Sequence, residues 1–339
     1  MTKKKKKNRI EIYELERSPL AQKPTQRDLA ILLGMKRDEL RNLITHADDW
    51  IVRREEIINR KVRKLAYPHG KLRRAHEILK FHLGKIKQPD YLFSPRKKRS
   101  QRDNAARHLH QNQILTLDIK QFYPSTKSRH VYQWAKNTLR MHDDVAGLFT
   151  RMVTIDGSVS FGSPLTPVLV SLIHREIFDE IGRLCQRKGL KLTLWVDNIT
   201  ISGRFVPGTL IQAIREVIRD KGLKSHELSY WMGNRAVSIT GIQVTRSGLH
   251  VPRSVHDKIR NLYEQLSKTA DAIEAENIAT KLLSSLGTVR YVAGKNTRLG
   301  TKTANKMTTL RRRRVSWMSQ ASIKPIVASG TTADTPPWD

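Results

Sequence analysis

Acidic residues are scarce in this sequence: 31 stand against 63 lysines and arginines, a formal net charge of +32 over 339 residues. An excess of that size concentrates polyanions and makes binding salt-dependent. The plain alternative, a basic solvated surface without a partner, sits badly with the uneven spread of the charge. Residues 277–333 hold no acid at all, while Lys281, Arg290, Lys295, Arg298, Lys302, Lys306 and the run Arg311, Arg312, Arg313 and Arg314 are basic. So one-sided a stretch repels itself unless phosphates neutralise it, which favours nucleic acid over an acidic protein. Cysteine is nearly absent. Cys185 alone excludes an intramolecular disulfide and a cysteine zinc cluster, and it reads as a buried, inert thiol in a helix. Long apolar runs are missing too. No window approaches the ~20 residues of a membrane span, and no basic helix carries a bulky aromatic face for a membrane surface. The opening MTKKKKKNRIEIYELER has no apolar segment of the secretory kind. The expectation is a cytoplasmic protein without a membrane partner.

What is there divides by texture. Hydrophobic residues make up 38% and charged residues 28%, so most of the chain has the means to bury a core. Residues 1–20 form a basic, disordered tail that touches RNA or merely aids solubility. Within 21–112, residues 25–66 read as helical from Leu29, Leu32, Leu33, Leu40 and Leu43. YPHGKLRRAHEILKFHLGKI then starts with a turn that enters a basic strand or helix, and residues 91–102 read as a loop. The middle, 113–247, opens with QILTLDI, a buried strand ending in an acid. KLTLWVDNITISG reads as a hairpin meeting at Asp197 and Asn198, and SYWMGNRAVSITGIQV as a second around Gly233 and Asn234. Helical patterns fall at 129–140, 165–187 and 209–221. The order predicts an α+β domain, an antiparallel sheet with helices on one face. Residues 248–327 are basic and helical. Ser254 and Asp257 suggest a capping box, Val255, Ile259, Leu262 and Leu266 share a face, and a further helix covers 271–286. Residues 328–339 read as disordered.

Asp118 ends an apolar strand, and Asp197 lies at the tip of an apolar hairpin. Carboxylates in such places are costly unless something positive meets them, and two brought together repel until a divalent cation relieves them. Oxygen-only ligation beside nucleic acid points to Mg²⁺, and a pair of such ions activates an attacking hydroxyl and stabilises departing pyrophosphate. Either Asp alone reads equally as a turn or cap residue. The surrounding words decide between the readings.

LDIKQFYPS (117–125), FGSPLTP (161–167) and WVDN (195–198) resemble, in that order, motifs A, B and C of the reverse transcriptase palm. NAARH (104–108) and ITG (239–241), the latter followed by VPRSVHDKIR, resemble the NAxxH signature and VTG triplet of retron reverse transcriptases. The resemblance runs from about Tyr67 to Leu266. It implies a right-hand polymerase with fingers (21–112), palm (113–247) and helical thumb (248–327). Asp118 and Asp197 would hold two Mg²⁺ ions, with Asn198 beside them in the catalytic set. Tyr123, with its neighbour Phe122, would lie under the sugar of the incoming nucleotide and exclude a 2′-hydroxyl; its plain role is a core aromatic. Gly162 and Pro164 would shape the floor beneath the nascent base pair. Lys71, Arg73 and Arg74 would hold the triphosphate, or simply form a solvated basic turn. Asn104 and His108 share a helix face and would contact the cognate RNA or serve a local structural role. Arg311 to Arg314 would grip the duplex through its phosphates.

By the same resemblance the enzyme would use deoxynucleoside triphosphates to copy a structured noncoding RNA from a guanosine 2′-hydroxyl. The product would be branched multicopy single-stranded DNA, made within an antiphage system whose effector or toxin is a separate protein. Three departures stand out. Asn198 replaces the second aspartate of motif C, Phe161 the usual glutamine before the motif B glycine, and Leu228 the lysine expected after GLK. They keep open a non-catalytic RNA-binding scaffold. Another prokaryotic reverse transcriptase, of group II intron or abortive-infection type, is the alternative among enzymes.

Overall fold

Thr25 sets the first helix by its own chemistry. Its hydroxyl accepts the Asp28 N–H (3.2 Å) while the Asp28 carboxylate accepts the Thr25 N–H (2.9 Å), closing a capping box. The computed structural model describes residues 11–58, 61–233 and 235–323, and contacts divide the chain into two units, one ending at Thr240, the other beginning at Gly241. The capped helix is α1 (Gln26–Leu32), followed by α2 (Arg37–Thr45). The helical expectation overran here. Residues 51–58 and 61–68 instead pair as antiparallel strands, β1 (Ile51–Ile58) and β2 (Lys61–Pro68). Their Arg, Glu and Lys residues favour helices in isolation, but the backbones pair in unbroken antiparallel register from Ile51 opposite Pro68 to Ile58 opposite Lys61.

The basic segment after the Pro-His-Gly turn is a helix, α3 (Gly70–Leu83). In the expected loop a short strand appears, β3 (Leu92–Ser94), and α4 (Gln101–Ala106) starts at a Ser100–Asp103 capping box. Then β4 (Gln113–Ile119) spans the expected strand residue for residue. Five helices follow: α5 (Phe122–Ser125), α6 (Ser128–Asn137), α7 (Asp143–Val153), α8 (Thr166–Ile173) and α9 (Arg175–Arg187). The single helix expected over 165–187 is thus broken at His174. The expected hairpin is β5 (Lys191–Trp195) and β6 (Asn198–Gly203), with Val196 and Asp197 as its turn, one residue earlier than read from sequence. After α10 (Gly208–Asp220) come β7 (Ser225–Met232) and β8 (Val237–Ile239).

The strand order β3-β5-β6-β4-β7 corrects two expectations. The sheet is mixed, since β3 runs parallel to β5 while its other pairings are antiparallel; the long connection between β3 and β5 permits a parallel return. The second hairpin does not form, because β7 satisfies the edge of β4 and β8 lies outside this sheet. Asn234, half of that predicted turn, lies outside the described residues.

Period-two alternation sorts the sheet. Leu115, Leu117, Leu194, Ile199 and Ile201 are buried with Ile177, Phe178, Ile181, Ile214 and Ile218 of α9 and α10 in one core. On the other face β4 presents Thr116 and Asp118, opposite Thr200 and Asn198 of β6. Helices therefore cover one face, as expected, but α4 also reaches the second face and meets β5 and β8 there.

The second unit begins with β9 (Ile242–Thr245) paired to β10 (Gly248–His250). Three helices follow: α11 (Arg253–Lys268), α12 (Ala272–Ala293) and α13 (Arg298–Ile323). The capping box expected at Ser254 is absent; the N-cap of α11 is Pro252, two residues earlier, and Asp257 pairs with Arg260 instead (3.3 Å). Leu262 and Leu266 are buried as their spacing predicted, against Ile278, Leu282 and Leu310. Asp271 caps α12 by accepting from the N–H groups of Ile273 and Glu274. Among the described residues no helix is long and apolar enough to cross a membrane. Residues 1–10 and the expected tail 328–339 lie outside the described residues, but 11–20 correct the expectation of a disordered start: Tyr13 exchanges backbone hydrogen bonds with Lys85 (3.0 Å) and Lys87 (2.8 Å), and Leu20 is fully buried.

Candidate active site

The strand register brings the two motif carboxylates to one end of the sheet. Asp118, next to last in β4, sits directly opposite Asn198, first in β6. Opposite residues of an antiparallel pair project from the same face, their Cβ atoms about 5 Å apart. Asp197 precedes Asn198 in the turn, and its carbonyl accepts the N–H of Ile119 at 3.3 Å. Both aspartates are half-buried, and Asn198 is exposed. The Asn198 amide donates to the Asp197 carboxylate at 3.0 Å. The residue standing where a second aspartate was expected therefore orients its neighbour. Val196, which starts the turn, has φ of +60°. That is an outlying backbone for a β-branched residue, of the kind held only where its surroundings over-determine it.

Beyond Asp118 the chain reverses at Gln121, in the left-handed region, and enters α5. Tyr123 is half-buried and meets Phe161 edge-on, ring centroids 5.1 Å apart. Burial, reinforced by the negative charge of Asp197, pushes its hydroxyl up to about 12. Its neighbour cannot touch a nucleotide. Phe122 is 3% exposed and packs on Phe178 and His174, which corrects the expectation for that residue. Consecutive residues of a helix project about 100° apart, and here the apolar one turns inward.

The Gly162 loop lies against the β1–β2 pair. At φ of +91°, a Cβ on Gly162 would stand 3.0 Å from Cβ of Tyr67. The constraint comes from Tyr67, which also lies under the Arg54 guanidinium, 5.3 Å from its ring centre. His76 of α3 secures the same loop. Its Nε2 donates to the Met152 carbonyl (2.8 Å), so Nδ1 accepts the Ser163 hydroxyl (2.7 Å). Burial lowers the pKa of His76 to about 4 and keeps it neutral. One signal reveals it in sequence: His76 occupies the stripe of Leu72, Leu79 and Leu83 on an amphipathic helix. His174 plays a similar part. Thr126 donates to the Phe122 carbonyl, and His174 Nε2 donates to Thr126 (2.9 Å); burial lowers its pKa to about 3.

Asn104 and His108 do share an orientation, but it is inward. Both are buried, at 1% and 0% exposure. His108 bridges Ser202 (2.6 Å) and Thr193 (2.7 Å), stitching β6 to β5, and burial lowers its pKa to about 3. With no exposed surface their side chains cannot contact RNA, so the structural alternative is the one the geometry supports. Of the basic candidates, Lys71, Arg73 and Arg74 are exposed on the first turns of α3, Arg73 paired with Glu77 at 3.1 Å. In the second unit, Arg311 and Arg312 are exposed on α13. Arg313 lies over the Trp317 ring, and Arg314 pairs with Glu276 at 2.7 Å, which commits it to holding α13 against α12.

No family model matches the chain. It is 28% identical over 185 residues to the Retron Se72 reverse transcriptase of Salmonella heidelberg (strain 579083-10), covering 51% of this chain and 47% of that protein. With the Retron Ec86 reverse transcriptase of Escherichia coli it shares 22% over 188 residues, 54% of this chain and 58% of the relative. Over about half of its length the chain is similar to retron reverse transcriptases. It spans about half the length of the curated relatives it matches. Among solved structures, telomerase from Candida albicans in complex with a fragment of telomeric RNA covers 80% of this chain and 59% of its own, at 8% identity and a TM-score of 0.46.

Two carboxylates are a sparse donor set, and no cluster of three or more His, Cys, Asp or Glu suited to a metal occurs among the described residues. That sparseness fits Mg²⁺, which keeps several waters and binds through one or two carboxylates plus substrate phosphates. It fits zinc poorly, which takes three or four nitrogen or sulfur ligands.

Proposed function

We propose that this chain is an RNA-directed DNA polymerase of the retron kind, using Asp118 and Asp197 to bind two Mg²⁺ ions at the end of the five-stranded sheet. The observation that carries the reading is the β4–β6 register, which sets Asp118 opposite Asn198 and puts Asp197 beside them. The relatives' names supply the reaction class. Bound there, the ions would lower the pKa of an attacking hydroxyl and neutralise the triphosphate.

In that reaction the oxygen of a primer hydroxyl forms a bond to the α-phosphorus of a deoxynucleoside triphosphate. The bond from that phosphorus to the β-phosphate bridge breaks, pyrophosphate leaves, and the hydroxyl proton passes to solvent. The chain's own residues position the participants. Asn198 orients the Asp197 carboxylate. Tyr123, neutral and packed on Phe161, presents a rigid edge beneath the incoming sugar. Lys71 and Arg74 are the exposed cations offered to the triphosphate. The template is a structured noncoding RNA held by Arg311 and Arg312, and the product is branched single-stranded DNA made in an antiphage system with a separate effector.

Primer extension with Mg²⁺ and deoxynucleotides tests the reading. Asp118→Asn and Asp197→Asn are each expected to abolish synthesis while RNA binding persists. If the unaltered protein binds RNA but makes no DNA, the scaffold reading replaces this one. Sequencing the co-purifying nucleic acid tests the branch: a DNA joined to RNA through a 2′–5′ linkage is expected.

A further inference from the structure

Leu72, His76, Leu79 and Leu83 are buried on one stripe of α3, and His76 is its polar member. A fourth leucine there would bury apolar area without desolvating a polar group. The imidazole is nonetheless 1% exposed, and its two nitrogens bond to different elements. Nε2 donates to the carbonyl of Met152 in the last turn of α7, where no intrahelical donor remains. That bond caps a helix, and its role is structural. Nδ1 accepts from the Ser163 hydroxyl, whose oxygen in turn accepts the N–H of Leu165 at 3.2 Å.

Ser163 belongs to a stretch, residues 159–165, that is neither helix nor strand. Val159 ties it to the end of α5, donating its N–H to the Thr126 carbonyl at 2.9 Å. Thr166 ties it to α8, its hydroxyl donating to the Ser160 carbonyl at 2.8 Å. Of these ties only the one from Ser163 to His76 reaches α3. Its two ends carry different parts of the proposed nucleotide site. The loop bears Gly162 and also Phe161, which meets Tyr123 edge-on. The helix bears the exposed Lys71 and Arg74, both within a turn and a half of His76.

A nucleotide that meets the loop with its sugar and base and α3 with its phosphates spans that tie. It binds tightly only when loop and helix keep one spacing. A satisfied buried polar link fixes a single arrangement where apolar packing tolerates several. Resting on the function proposed above, we infer that His76 is a positioning residue for the incoming deoxynucleoside triphosphate. The two ring nitrogens divide the work: Nε2 holds the fold, and Nδ1 holds the loop at the distance from α3 that one nucleotide bridges.

Substitution separates the two jobs. His76→Gln brings an amide nitrogen to the place of Nε2 and loses the bond to Ser163. His76→Asn brings an amide oxygen to the place of Nδ1 and loses the bond to Met152. In primer extension with Mg²⁺, His76→Gln and Ser163→Ala are each expected to raise KM for the deoxynucleoside triphosphate about tenfold, the scale of one lost hydrogen bond. KM for the template–primer and kcat should hold, and His76→Asn should restore KM for the nucleotide. Urea unfolding should rank the two histidine variants the other way, with His76→Asn the less stable. If KM follows stability instead, or if His76→Gln and Ser163→Ala leave it unchanged, the inference is overturned. Calorimetric titration of the protein and template–primer with a deoxynucleoside triphosphate and Mg²⁺ adds a readout independent of turnover, with binding about tenfold weaker in His76→Gln. If the unaltered protein extends no primer, the polymerase reading fails. The titration then still decides the role of His76: equal affinity in the unaltered protein and His76→Gln, or no binding by either, overturns it.

Discussion

Replacing Asn198 with aspartate would restore the charge expected at this position, and the structure argues that it destabilises the metal-free protein. The Asn198 amide donates to the Asp197 carboxylate at 3.0 Å. Asn198→Asp removes that donor and sets a like charge close by. Two unit charges about 4 Å apart interact by ~1 kcal/mol in water and ~4 kcal/mol at a protein-surface dielectric. Because position 198 is exposed, the lower end applies. Adding ~1 kcal/mol for the lost hydrogen bond gives a loss of about 2 kcal/mol. At roughly 2–4 °C per kcal/mol for a unit of this size, Tm in EDTA should fall by about 4–8 °C. Saturating Mg²⁺ should recover most of that, since the added carboxylate strengthens the cation site. Thermal melts of the unaltered protein, Asn198→Asp and Asn198→Ala, each with EDTA or Mg²⁺, separate the effects: alanine loses the hydrogen bond alone and gains nothing extra from Mg²⁺. If Asn198→Asp melts no lower in EDTA, or Mg²⁺ raises all three equally, then Asp197 and residue 198 do not share a cation site.

Further outcomes follow from neighbouring contacts. His76, His108 and His174 are held neutral in the fold, with pKa values lowered to about 4, 3 and 3. The unfolded chain takes up protons below 6.5 while the fold does not, so stability is intact above 6.5 and declines as pH falls toward the folded values. At pH 5.5 the loss is ~1.4 kcal/mol for each histidine, seen as a lower urea midpoint than at pH 7.5; a midpoint unchanged between the two would contradict it. Gly162→Ala forces a Cβ to 3.0 Å from Tyr67 in a left-handed backbone. A loss of about 1–3 kcal/mol is expected, measurable by denaturant titration, with partial recovery in Tyr67→Ala. Tyr123→Ala should raise ribonucleotide incorporation relative to deoxyribonucleotide in single-turnover extension, whereas Tyr123→Phe, which keeps the ring, should not. Arg314→Ala leaves Glu276 without this partner in a half-buried place and should cost about 1 kcal/mol, read from urea unfolding.

Legibility of the sequence tracked how local the determining physics is. Both strands of the Asp118–Asn198 pairing were readable because their apolar, β-branched runs and the polar residues at the end where they meet are written within a few residues. Residues 51–68 were misread because Arg, Glu and Lys look helical one at a time, and only the partner strand turns them into a ladder. β7 was assigned the wrong neighbour for a related reason: its choice of β4 over β8 depends on an edge far away in sequence. The inward turn of His108 and Asn104 was equally hidden, since helical spacing says that two residues share a face but not which way it points.

Val196 has a mechanical consequence. A glycine in that turn would sample several backbone basins and let the hairpin tip flex; a valine in the left-handed region has few other conformations to visit. The carboxylate that follows is mounted on a stiff support and keeps its orientation whether or not substrate charge is nearby. The end of the sheet that carries Asp118 and Asp197 should then behave as a fixed reference to which a bound ligand, rather than the protein, adjusts.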